Sequence, residues 1–243
     1  RWIQQISLGW LAFDLTGSPV LLGSILFVYQ VPSVVLSPLV GVLVDRMDRR
    51  QLLIFSQLAM AMFAILLALD IALGYLEVWH LYIFALISGV ESTIIHVVRQ
   101  ALIPSVVPRD SLMNAIALNS AALTSTRIFG PALAGILIVA LGVEGNFILQ
   151  AVLLTGVALA AFPLNITPPE RESIENTGSV SLWQEIAVGL RFIWGIGTLR
   201  VLFIVQFVMM FVAMPFSNFL PVWAADVLAL DADGLGLLYS AAG

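Results

Sequence analysis

Apolar residues fill long stretches of this chain, and short polar turns separate them. Most stretches are about 20 residues or longer, the length that an α-helix needs to cross a bilayer. The predicted spans are the N-terminal run to about 15, then 20–44, 51–69, 80–103, 112–141, 147–164 and 199–222, with another beginning near 235. No stretch alternates polar and apolar residues in the way of barrel strands. The pattern therefore predicts α-helices whose backbone hydrogen bonds are satisfied within each span.

The composition places these helices in a membrane. Of the 243 residues, 60% are hydrophobic and 10% are charged, whereas a soluble domain carries about 25% charged residues. The predicted fold class is therefore an all-α polytopic membrane protein. The chain has no cysteine, which excludes disulfides and thiolate metal sites. Its sequence also lacks a phosphate-binding glycine loop, a metal-ligand cluster and a nucleophile–base pair. We therefore expect no enzyme activity, cofactor, metal or nucleic-acid partner.

One segment differs in kind from the apolar spans and divides the chain. The stretch 165–181 holds two adjacent prolines and four charged residues, which is typical of a water-exposed linker. The stretch 182–196 that follows is amphipathic and predicts a helix lying at the membrane surface. The predicted domains are an N-terminal bundle of six helices at 1–164, with its first helix truncated, a linker at 165–197, and the start of a second bundle at 198–243. Because the chain begins at Arg1 and ends within an apolar run, we interpret it as a fragment.

The arginines fall on one set of alternate loops. The turn at 45–50, the turn at 99–110 and the linker region to residue 200 carry eight arginines, and the intervening loops carry none. Arginine is enriched in the cytoplasmic loops of membrane proteins. The distribution therefore predicts that the turn at 45–50 and the linker lie in the cytoplasm.

Two opposite charges lie near the middle of neighbouring spans. Glu91 is in the fourth span and Arg127 is in the fifth, at comparable depth. An ionisable group at the bilayer centre costs at least about 2.5 kcal/mol, so such a group faces a cavity or a partner. We expect both side chains to face the bundle interior. One hypothesis is a proton-coupling or substrate site, and the alternative is a static ion pair that holds two helices together.

Uncharged polar residues and one histidine also lie within the spans. His96, which follows Glu91 by five residues, could relay protons, or it could form only a local hydrogen bond. Gln4 and Gln5 in the first span and Asn119 in the fifth could line a transport pathway. The alternative for these amides is hydrogen bonding between helices.

The charged turn between the second and third spans has a specific spacing. Gly41, Asp45, Arg46, Arg49 and Arg50 give the pattern G-x-x-x-D-R-x-x-R-R. This pattern resembles the loop signature of the major facilitator superfamily, which usually has glycine where this chain has Asp48. The resemblance implies that the turn is half of a cytoplasmic gate, which closes against a helix of the second bundle. For the last two arginines, the alternative is that they only anchor the topology.

The fifth span carries a second signature. Gly130, Pro131 and Gly135 fit the antiporter pattern G-x8-G-x3-G-P-x-x-G-G of the same superfamily, and Ala117, Thr126 and Ala134 stand at its other glycine positions. Longer strings resemble the transmembrane secretion effectors, the branch of the enterobactin exporter and the macrolide efflux proteins; these strings lie at 15–19, 99–102, 107–110, 114–119 and 127–135. That branch often has Asp and Pro where this chain has Ile95 and Val97.

The resemblance implies a fold of two six-helix bundles with a substrate cavity between them, which rock to alternate access. It implies a monomeric secondary transporter in the bacterial inner membrane. Its expected activity is the export of small amphipathic molecules, of the drug, macrolide or siderophore class, by proton antiport. One alternative is a facilitator or importer of a small metabolite. An alternative of another class is a membrane scaffold or signalling protein that transports nothing.

Overall fold

The computed structural model describes residues 2–163, 191–192, 194–202, 204–205, 208, 220–228, 234–235, 237–238 and 241. The chain divides into two compact units. One unit comprises Arg1–Thr167 and Asn218–Gly243, and the other comprises Pro168–Ser217. Apart from short turns, the described residues are helical, and none of them lies in a β-strand. The predicted all-α fold class is confirmed.

Five helices form most of the first unit. They are α1 (Trp2–Thr16), α2 (Pro19–Arg46), α3 (Arg49–Ala72), α4 (Val78–Val106) and α5 (Leu112–Ala161). By length and composition, α2, α3, α4 and α5 each contain a stretch able to cross a membrane. Their positions agree with the predicted spans to within a few residues.

Helix α5 is broken at Gly142. This residue has φ 74° and ψ 171°, a conformation that is essentially restricted to glycine. Gly130, before the break, packs against Trp2, and Asn146, after it, hydrogen-bonds Ser7. Sixteen residues of straight helix would span about 24 Å, whereas these two α1 residues are only about 7.5 Å apart along their helix. The chain therefore folds back at Gly142 into an N-arm (112–141) and a C-arm (143–161). The sequence predicted two spans here, joined by a longer loop than the single-residue break that the structure has.

The core of the first unit lies between α1, α2, α3, α4 and the C-arm. Phe84 of α4 meets Phe147 of the C-arm edge to face, with ring centroids 5.2 Å apart. Many other core positions are alanine, for example Ala12, Ala64 and Ala85, which are completely buried. Small residues let helix backbones approach closely, which is how helices associate in lipid, where burying apolar area gives little advantage.

A second apolar cluster joins α1, the N-arm and the C-terminal part of the same unit. Ile6 and Ala134 pack there with Leu220, Ala224 and Leu235. Leu220–Val222 is helical and Trp223–Val227 is a π-helix, although the sequence predicted a loop from about residue 223. The described residues of the second unit are helical, apart from a bend at residue 196, and exposed. Most of the predicted linker at 165–197 lies outside the described residues.

Candidate functional site

Asp48 is the N-cap of α3. Its Oδ1 accepts hydrogen bonds from the backbone N–H groups of Arg50 (2.8 Å) and Gln51 (3.4 Å). The first N–H groups of a helix have no partner within the helix, and a capping carboxylate satisfies them. The aspartate at this position, where the resembled signature has glycine, therefore starts the third helix. No role for Asp48 was predicted from the sequence.

We expect Asp48→Ala to lower the free energy of unfolding by about 1 kcal/mol, because alanine cannot cap. Asp48→Gly should lower it by only about 0.3 kcal/mol, since glycine is tolerated at the N-cap. Both values are measurable by reversible unfolding of the purified protein in mixed micelles. Ser111→Ala is the matched control, because Ser111 is the N-cap of α5 but its side chain makes no capping hydrogen bond. Equal losses at the two positions would contradict the capping role.

The next two arginines tie the start of α3 to its neighbours. The guanidinium of Arg49 donates from Nη1 to the carbonyl oxygen of Ala101 in the last turns of α4, at 3.1 Å. A cation is favourable near the carbonyl end of a helix. The guanidinium carbon of Arg50 lies 5.8 Å from the ring centroid of Phe162, just after the C-arm, within the range of a cation–π contact. These arginines thus hold three helix ends together, besides any role in topology.

The structure leaves the gate itself as a prediction. Arg46 is the last residue of α2, but the side chains of Asp45 and Arg46 lie outside the description. A Cβ added at Gly41 would meet no atom within 4 Å, so nothing in the described part of the chain requires glycine there. If Gly41 allows another helix to approach closely, that helix is not among the described residues.

The glycine–proline signature of the N-arm packs against α1. A Cβ at Gly130 would lie 2.7 Å from Trp2 Cδ1 and 2.9 Å from its Cγ. Pro131, Ala134 and Gly135 are buried on the same side. This face therefore serves close helix packing, which the sequence analysis gave as the physical use of small residues.

Gln4 is buried in the centre of the bundle. Its Nε2 donates to Ser88 Oγ on α4 and lies 3.8 Å from Met60 Sδ on α3. The interhelical alternative for this amide is thus observed, while a pathway role stays a prediction. Gln5 is half-buried.

Two contacts with α1 set the depth of the predicted charge pair. Glu91 lies three residues beyond Ser88, which bonds α1, and Arg127 lies three residues before Gly130, which packs on α1. Because α4 runs antiparallel to α1 and the N-arm runs parallel to it, both offsets point toward the start of α1. The two α1 contact residues are two positions apart, and a residue advances a helix by 1.5 Å. Glu91 and Arg127 therefore lie within about one helical turn of the same depth.

The two charges differ in burial. Glu91 is half-buried, whereas Arg127 is exposed, as is the whole of 120–129 on the N-arm. The expectation that both side chains face the interior of the bundle stays a prediction. If another part of the protein covers the exposed face of the N-arm, that part is not among the described residues.

His96 and Asn119 also lie near surfaces. His96 is exposed, and its Nε2 lies 3.1 Å from Nε2 of Gln100, one turn further along α4. This is the local hydrogen bond that the sequence analysis gave as the alternative to a proton relay. Asn119 is half-buried on the otherwise exposed N-arm.

Sequence reasoning missed three buried polar residues that bond across helices. Ser88 meets Gln4, and Ser7 accepts from Asn146 Nδ2 at 2.8 Å. The signal that could have found them is a polar residue at core-facing spacing within an apolar span. Among the described residues, no group of three His, Cys, Asp or Glu could hold a metal ion.

A protein-family model described as transmembrane secretion effector matches residues 1–243. The chain is 28% identical over 170 residues to an uncharacterised MFS-type transporter, YfiS, of Bacillus subtilis, a match that covers 67% of this chain and 39% of that protein. It is also 28% identical over 166 residues to the staphyloferrin A transporter of Staphylococcus aureus, a match that covers 68% of this chain and 42% of that protein. The matched region spans about two fifths of the length of these curated relatives.

Proposed function

We propose, since the chain belongs to the transmembrane secretion effector family of the major facilitator superfamily, that the protein exports small amphipathic molecules by proton antiport. The family match and the two transporter relatives support transport by a multi-pass membrane protein. Export, proton coupling and the substrate class are our proposal. We propose that two bundles open a central cavity to one side of the membrane and then to the other, and that the N-arm of α5 helps to line this cavity.

The observation that carries the proposal is the group of polar residues at membrane depth around α1. Glu91 lies next to the α4 face that bonds Gln4, and Arg127 lies at nearly the same depth on the N-arm. A carboxyl and a guanidinium at this depth are costly to keep in lipid, and they mark ion or substrate pathways in transporters. A half-buried carboxyl can exchange a proton when its surroundings alternate between water and protein.

The direction of transport is tested in everted membrane vesicles from cells that express the complete reading frame. When the lumen of these vesicles is made more acidic than the medium, we expect labelled erythromycin or enterobactin to accumulate inside. The pH gradient should dissipate as substrate enters. Vesicles from cells without the protein are the control. Proton-driven flux in the opposite direction would favour an importer, and equilibration of the substrate without accumulation would favour a facilitator. The absence of flux for every compound of the drug, macrolide and siderophore classes would favour a scaffold or signalling protein.

We also propose that the α2–α3 turn faces the cytoplasm and that the α3–α4 turn faces outward. The first turn carries Arg46, Arg49 and Arg50, whereas the second carries acidic groups, including Asp70, whose Oδ2 lies 3.6 Å from His80 Nδ1. Positively charged loops are retained in the cytoplasm.

The chain has no cysteine, so single cysteines report this topology directly. In intact cells, we expect a membrane-impermeant maleimide to label Tyr75→Cys and to leave Met47→Cys unlabelled until the membrane is permeabilised. Both positions are exposed, Tyr75 at 70% and Met47 at 46%, so differences in labelling report the side of the membrane. The reverse order of labelling would invert the proposed orientation.

A further inference from the structure

Four polar atoms in the core of the first unit have no hydrogen-bond partner among the residues that the structure describes. They are Gln57 Oε1, Asn146 Oδ1 and both amide atoms of Gln150. All three side chains are more than nine-tenths buried, with exposures of 7%, 0% and 4%. These residues lie outside the charged turn and the glycine–proline signature.

We group the three amides with the buried polar residues near them on the same helix faces, and call this group the core seam (Gln4, Ser7, Gln57, Ser88, Asn146 and Gln150). Asn146 donates to Ser7, and Gln150 follows Asn146 by one turn on the same face of the C-arm. Ser7 lies three residues after Gln4, which bonds Ser88.

Met60 joins α3 to this region. Its sulfur lies 3.8 Å from Gln4 Nε2 and 3.9 Å from Ser88 Oγ. Gln57 precedes Met60 by three residues and is buried on the same face of α3. The seam therefore reaches α1, α3, α4 and the C-arm.

A buried polar atom that makes no hydrogen bond loses its hydration and gains nothing in return. At membrane depth bulk water cannot hydrate these atoms, so the unsatisfied groups favour a bound molecule that hydrogen-bonds them. The bound molecule must accept a hydrogen bond from Gln150 Nε2 and donate hydrogen bonds to the amide oxygens of Gln57, Asn146 and Gln150. Amides and hydroxyls supply no negative charge, which disfavours a bare cation.

We propose that the core seam binds water, with ordered molecules bridging Asn146, Gln150 and Gln57. Water both donates and accepts, and buried waters in proteins typically make about three hydrogen bonds to otherwise unsatisfied polar groups. The site lies inside one helical bundle and is independent of the substrate, direction and coupling ion of transport. Its experiment can therefore succeed or fail whatever the outcome of the vesicle assay.

Radiolytic hydroxyl labelling in ¹⁸O water tests the site in the complete protein in nanodiscs. Met60 is only 1% exposed, so it should be oxidised only if water lies beside it. We expect ¹⁸O-labelled sulfoxide at Met60, but not at Met62, which is 52% exposed on the opposite, lipid-facing side of α3. Labelling of Met60 should be lost in Gln57→Leu, while Met113, which is 77% exposed, remains labelled and reports a constant radical dose.

If Gln57→Leu does not fold, density maps of the unmodified protein decide the question. At a resolution that shows ordered water, we expect water density within hydrogen-bond distance of Asn146 Oδ1 and Gln150 Nε2. A Met60 that stays unlabelled in the unmodified protein, or a dry seam in the map, would overturn the proposal. So would density for a larger solute, or labelling of Met60 that is unchanged in Gln57→Leu.

Discussion

Gly89→Ala should destabilise the protein by about 3 kcal/mol or more, the upper range for an extra methyl group forced into a packed core. An added Cβ at Gly89 would overlap the carbonyl oxygen of Tyr29 on α2 and lie 3.0 Å from Pro32 Cγ. The obstacle is backbone, so no side-chain rotation relieves it and α2 must move away from α4. We expect the variant to lose its monodisperse peak on size exclusion or to unfold at a markedly lower temperature.

Another helical glycine provides the matched control. A Cβ at Gly156 would meet no atom within 4 Å, so alanine there should be neutral or should stabilise by up to about 1 kcal/mol through helix propensity. Pro32→Ala combined with Gly89→Ala separates the two obstacles. Rescue by that double variant would show that the proline ring, and not the Tyr29 carbonyl, sets the spacing. A stable Gly89→Ala protein would show that the two helices can separate without cost.

The importance of Gly89 could not have been predicted from the sequence, although that of Gly130 could. Gly130 stands in a recognisable Gly-Pro pattern, whereas Gly89 lies in an ordinary apolar span and its partner, Tyr29, is 60 positions earlier. Helical periodicity tells which face of a helix is apolar, but it does not tell which helix covers that face. The close contact between α2 and α4 is a tertiary property of this kind.

The fold class was predictable because it follows from the lengths of apolar stretches and the physical need to pair every backbone group in lipid. The local details were less accessible. In the sequence, Asp48 is one more charge in a charged turn. Its capping role is evident only from the position of the backbone N–H groups that it hydrogen-bonds. The predicted connection between the fifth and sixth spans was too long, because the unusual φ of Gly142 alone reverses the chain where a loop of several residues was expected.

For the candidate site, the sequence predicted depth better than contact. Counting residues along helices put Glu91 and Arg127 at similar depth, and the contacts of nearby Ser88 and Gly130 with α1 support this. The direction of each side chain depends on how the helices are rotated, which counting does not give. Gln4 illustrates the same limit, because the sequence left open whether it lines a pathway, and its contact with Ser88 shows that it joins helices.

Glu91→Gln should abolish transport driven by a pH gradient while leaving the protein folded. Glutamine keeps the size and hydrogen-bonding capacity of the side chain but cannot release a proton. It also removes a charge whose insertion into the membrane is unfavourable by about 2.5–3.5 kcal/mol, so stability should be unchanged or higher. The measurement is substrate accumulation in everted vesicles under an imposed gradient, with thermal unfolding of the same variant in detergent. We expect accumulation at the level of vesicles without the protein.

Substrate counterflow separates this coupling role from general damage. Exchange of labelled for unlabelled substrate across the membrane needs no net proton movement, so Glu91→Gln should retain it while losing gradient-driven accumulation. If Glu91 instead forms only a static ion pair with Arg127, removing one partner should lower the free energy of unfolding by about 2.5–3.5 kcal/mol, because it leaves the Arg127 charge without its counter-charge at membrane depth. Gradient-driven transport should then persist in whatever protein folds, and Arg127→Gln should restore the stability of the Glu91→Gln background. Loss of coupling with intact stability and intact counterflow therefore distinguishes a proton-exchanging carboxyl from a structural one.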